Sequence, residues 1–121
     1  MDIGECKRKG LIKRTEINEE LIISLVEMAD SKEDAVKTAQ INEKNILAYV
    51  SLAYDALQET LEATCCSKGY KVISHICIGE LLRELIPKFD YKTFDRIRWI
   101  RNGINYYGKR VDFKQGKKFH L

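Results

Sequence analysis

Between Asn45 and Gly69 the chain reads "NILAYVSLAYDALQETLEATCCSKG". Ile46, Val50, Ala53, Leu57 and Leu61 recur in steps of three and four. That spacing puts an apolar stripe along one face of a helix for about four turns. A helix of that length needs partners for its stripe, so neighbouring segments are expected to be helices that pack on it. The chain has a single Pro, which leaves such helices uninterrupted.

The rest of the chain supplies them. Asn18 followed by Glu19 and Glu20 is an N-cap with acids in the first turn. Leu21, Leu25, Met28, Ala35 and Ala39 then predict a long helix over about 18–40. Asn42 is placed to cap the next helix, and Gly69 to end it as the C′ residue. Ser74 caps a shorter helix carrying Ile78, Leu81, Leu82 and Leu85, and Pro87 closes it. A last helix starts near Asp90 or Thr93, with Phe94, Ile97, Ile100, Ile104 and Tyr107 as its core stripe. No run alternates well enough to predict a sheet. The fold expected is all-α, an up-and-down four-helix bundle in one domain spanning 1–121. Residues 1–14 form a basic lead-in docked by Leu11 and Ile12, and residues 113–121 a basic tail.

With 121 residues, 45% hydrophobic and 32% charged, the composition is that of a soluble globular chain. No apolar run approaches the roughly 20 residues a membrane helix needs. The start, "MDIGECKRKG", lacks the apolar core of a signal peptide, so a cytoplasmic setting is expected. Cys6, Cys65, Cys66 and Cys77 form no C-x-x-C pair, and neither His stands at a zinc-motif spacing from them. No metal or other cofactor is expected, and the cysteines read as small buried hydrophobes of a reducing compartment. Phosphate-binding glycine loops and nucleophile-elbow patterns are missing from the sequence.

Charge is segregated. Residues 15–69 carry a net −7, whereas residues 70–121 carry +7. The basic half suits an anionic partner, and the two halves also suit each other or a second copy. Within the last helix, Arg101 falls at about 340° when Phe94 is set to 0°, inside the margin of the apolar stripe. An Arg there requires a carboxylate partner, with Glu62 or Glu80 the candidates, or else a cleft to face. Gly103 signals close backbone approach or a bend. Trp99, Asn102 and Tyr106 share a second face, and aromatics beside amides suit an interface.

The string Arg101–Asn102–Gly103–Ile104–Asn105–Tyr106, preceded by "FDRIRWI", resembles the motif of the HEPN family, all-α modules of prokaryotic toxin–antitoxin and defence systems. The family pattern is Arg, a polar residue, three variable residues, then His. The stretch "AYDALQETLEATCCSKGYKVISH", residues 53–75, is similar to the second helix and following turn of HEPN proteins associated with minimal nucleotidyltransferases. The resemblance spans roughly residues 10–112. It implies a homodimer that brings two motifs to one cleft, metal-independent RNA chemistry, and Arg101 and Asn102 in the catalytic positions. The family His is Tyr106 here, so the His role does not transfer, although His75 could supply an imidazole. The resemblance therefore implies an RNA- or nucleotide-linked defence component with a degenerate motif and weak or no nuclease activity. Two alternatives follow from it: an active metal-independent ribonuclease toxin, and a non-catalytic subunit of a nucleotidyltransferase. Arg98, Lys109, Arg110, Lys114, Lys117 and Lys118 are the cations expected to meet RNA.

Overall fold

The computed structural model describes residues 1–107, the last four by their backbone alone. The described residues form α1 (Ile3–Arg8), β1 (Ile12–Arg14), α2 (Glu19–Thr38), α3 (Ile46–Ser67), β2 (Tyr70–Val72), α4 (His75–Leu85) and α5 (Tyr91–Tyr107). The chain is mostly helical, as its periodicity predicts.

The helix ends follow local chemistry. The Asn18 side chain accepts from the Leu21 amide at 3.1 Å and starts α2. Asn42 Oδ1 accepts from the Lys44 and Asn45 amides, while Asn45 Oδ1 accepts from the Asn42 amide. This reciprocal pair forms the turn into α3. Gly69 ends α3 with φ +85°, and its carbonyl accepts from the Thr15 amide at 2.9 Å. A side chain there would meet the steric cost of the left-handed region, roughly 1–2 kcal/mol. Asp90 starts α5 by accepting from the Thr93 amide and hydroxyl.

Three features depart from the expectation, the third being the buried face of α2. The lead-in is structured: α1 precedes β1, which pairs antiparallel with β2 in the register Ile12↔Val72, Lys13↔Lys71, Arg14↔Tyr70. Strands of three residues are too short to reveal an alternating pattern, and their partners lie 56 or more residues apart. In addition, Cys6 and Cys77 are joined by a disulfide with Cα atoms 5.9 Å apart, tying α1 to α4. The reading of all four cysteines as reduced hydrophobes is corrected for this pair. Cys65 and Cys66 are free and buried, as that reading requires, and burial pushes the Cys65 thiol up to about 12.

The core has two parts. One surrounds the disulfide, with Ile12, Cys65, Val72, Ile78, Leu81 and Leu82. The other joins Val36 of α2 to Ile46, Val50 and Ala53 of α3, with Ile97 and Ile100 of α5 against it. Helix α3 connects them, because α2, α4, α5 and β2 all pack on it. The buried face of α2 is rotated from the predicted stripe. Ala29 and Val36 are buried, whereas Leu21 and Met28 are 47% and 49% exposed. The apolar arc of α2 is wider than α3 can cover, so periodicity alone could not choose its buried centre.

Helices α4 and α5 meet at Gly79. A Cβ built there would lie 2.5 Å from the Phe94 ring, which is itself buried. Gly79→Ala should therefore lower unfolding free energy by about 1–3 kcal/mol, even though Ala favours helix. Urea denaturation checks this, and an unchanged or raised midpoint would show that the ring yields freely.

Candidate functional site

Helix α3 presents Tyr54, Asp55 and Gln58 on adjacent turns toward the start of α4 and the middle of α5. Tyr54 is 1% exposed, and the large apolar body of its ring makes it a core residue as well as a site residue. The Arg101 guanidinium lies over the Tyr54 ring, 5.3 Å from its centroid. Its Nη2 donates to Asp55 Oδ1 at 3.2 Å, and the side chain is 16% exposed. Of the options the sequence left open for this arginine, a carboxylate partner is present, and it is Asp55 rather than Glu62 or Glu80. Glu80 instead accepts from the Tyr91 hydroxyl at 2.7 Å, and Glu62 lies beside Glu59 on α3.

His75, the first residue of α4, packs its ring 6.1 Å from Tyr54. Its Nε2 lies 2.6 Å from Gln58 Nε2. The Gln58 amide and the imidazole share a hydrogen bond whose direction follows the imidazole tautomer. Burial holds the His75 pKa below the usual histidine range, and the Arg101 charge adds to the effect. A neutral imidazole near an arginine can accept a proton at neutral pH. The Tyr54 hydroxyl has no hydrogen-bond partner among the described residues, and burial raises its pKa. A buried phenol without a partner is costly.

Arg98 lies in the same neighbourhood. Its side chain is 14% exposed, Nη2 donates to Asp95 Oδ1 at 2.8 Å, and Nε is buried without a partner. It is thus turned inward, where its charge reaches both Tyr54 and His75. Asn102 is half-buried and Gly103 buried, one turn beyond Arg98. Trp99 is 62% exposed beside a shallow hollow formed with Tyr91, Lys92 and Arg96. The Tyr106 side chain lies outside the described residues, as do Lys109, Arg110, Lys114, Lys117 and Lys118.

The fold thus brings together Arg101, His75 and Arg98. Sequence reasoning missed Tyr54, Asp55 and Gln58. The signal for Asp55 was present: it is an acid inside the apolar run "LAYDAL", where a charge needs a partner. The Tyr54 hydroxyl left no such trace.

The His75 environment has a consequence for stability. Its folded pKa lies below the unfolded value of about 6.5, so the unfolded chain binds more protons in acid. The contribution is fully present above about pH 6.5 and is lost as pH falls through the folded pKa. His75→Gln should flatten the stability profile just below about pH 6.5. Denaturation curves across that window test it, and an identical slope in both proteins would count against the burial of a neutral imidazole.

Compared with protein-family models, characterised proteins and solved structures, the chain matches none.

Proposed function

We propose that this chain is a HEPN-type four-helix protein that binds RNA at the Arg101–Tyr54–His75 cluster and cleaves it slowly or not at all. The observation that carries the reading is the convergence of Arg101 and His75 on one tyrosine ring. An arginine and a neutral imidazole suit a phosphodiester: the guanidinium neutralises charge and the imidazole takes a proton. Asp55 holds Arg101 in place until a phosphate competes for it.

In this reading the protein works in the cytoplasm as a toxin–antitoxin or defence component. It is a homodimer whose α5 helices meet through the face bearing Trp99, Asn102 and Tyr106. The cations at Lys109, Arg110, Lys114, Lys117 and Lys118 add salt-sensitive affinity for RNA. A second reading, an active metal-independent ribonuclease, is favoured by the neutral state of His75. A third, a non-catalytic subunit of a nucleotidyltransferase, fits the charge segregation.

The test is RNA binding and cleavage in EDTA by the wild type and Arg101→Ala, with sedimentation of the same preparations. Removing a charged partner of phosphate should weaken binding by about tenfold or more. The wild type should sediment as a dimer and cleave at a barely measurable rate. Brisk turnover abolished by Arg101→Ala would replace this reading with the active nuclease. Absence of RNA binding at low salt would leave the nucleotidyltransferase subunit.

A further inference from the structure

The N-terminal end of α2 and the C-terminal end of α3 leave an open groove of about 980 Å³ between them. Its lining is apolar at Ile17, Leu21, Leu25 and Val72 and acidic at Glu16, Glu19, Glu20 and Glu62, with one base, Lys71. Ile17 is 59% exposed and Leu21 47%. None of these four carboxylates joins an ion pair among the described residues. Glu62 is held above the usual carboxylate range by burial, with the neighbouring Glu59 adding to it.

The chemistry of the groove narrows its occupant. Anions are repelled by these carboxylates, and the α2 N-terminus is already capped by Asn18. Among the described residues no group of three or more His, Cys, Asp or Glu side chains could hold a metal ion, because the acids are spread along the groove. A ligand that satisfies both kinds of lining must bring positive charge to the carboxylates and apolar groups to the aliphatic side chains. We propose that this groove docks a basic amphipathic segment of a partner protein, with Lys or Arg against Glu16, Glu19, Glu20 and Glu62 and aliphatic side chains on Ile17, Leu21 and Val72. The groove is separate from the Arg101 cluster, since Glu62 and Tyr54 are eight residues, roughly 12 Å, apart along α3. The proposal therefore does not depend on RNA binding.

The test uses the full chain and a labelled probe peptide of about 14 residues, roughly four helical turns, with Lys and Leu at helical spacing. Oligolysine of the same length is the comparison. The Lys/Leu peptide should bind about tenfold tighter than oligolysine, and its affinity should fall as salt rises. Glu19→Lys/Glu20→Lys should weaken it by about tenfold or more. Because those acids also favour the start of α2, Glu62→Gln and Leu21→Ser serve as second variants. Each should weaken binding several-fold with the circular dichroism of the wild type. Equal affinity for both peptides, or unchanged binding in all variants, would overturn the proposal. Self-association of the chain that Glu19→Lys/Glu20→Lys abolishes would also overturn it, by giving the groove to a second copy.

Discussion

Tyr106→His should raise metal-free RNA cleavage by on the order of 10²–10⁴-fold over the wild type, the usual worth of general acid–base help. Cleavage through the 2′-hydroxyl needs one group to take a proton and another to return one to the leaving oxygen. His75 is suited to the first role, because burial and the Arg101 charge keep it neutral. Position 106 follows Arg101 at the spacing where the resembled motif carries His. Tyrosine there, with an ordinary pKa of about 10, exchanges protons poorly at neutral pH, whereas histidine at about 6.5 exchanges them readily. The gain should disappear in Tyr106→His/Arg101→Ala, because charge neutralisation is lost, and shrink in Tyr106→His/His75→Gln. Cleavage of a labelled RNA in EDTA gives all three rates. A folded, RNA-binding Tyr106→His protein that cleaves no faster than wild type would remove the nuclease framework from the reading.

Opening the Cys6–Cys77 bond should lower unfolding free energy by about 4 kcal/mol, within the usual range of 2–5 kcal/mol for a native disulfide. The cross-link spans 71 residues, so it strongly restricts the unfolded chain. Both half-cystines are fully buried among Ile12, Val72, Ile78 and Leu81, where they anchor α1 to α4. Denaturant titration with and without reductant measures the effect. Cys6→Ala/Cys77→Ala should match the reduced wild type and ignore reductant. A wild-type midpoint that reductant leaves unchanged would mean the bond contributes nothing to folding in solution. The result also bears on setting: a cytoplasmic protein meets a reducing thiol pool, and the bond would then be open to exchange.

The boundaries of the long helices were legible in the sequence because their causes are local. A cap needs one side chain and an amide three residues away, as at Asn18 and Leu21. A helix stop needs one residue able to adopt positive φ, as Gly69 does. The stripe of α3 was legible because α3 packs on neighbours along its whole length. The same logic asked for a partner or a cleft for Arg101, since an arginine in an apolar margin cannot stay unpaired at low cost.

What the sequence could not decide was which distant residue meets which. Asp55 and Arg101 are 46 residues apart, β1 and β2 lie on opposite sides of two long helices, and Cys6 finds Cys77 across most of the described chain. The acid inside "LAYDAL" marks Asp55 as needing a partner, but only the crossing of α5 over α3 pairs it with Arg101. The same holds for α2, whose apolar arc exceeds the width of one partner, so packing against α3 selected Ala29 and Val36 and left Leu21 and Met28 outside. Periodicity states which faces can be buried, and only the competition among those faces for contact decides which are.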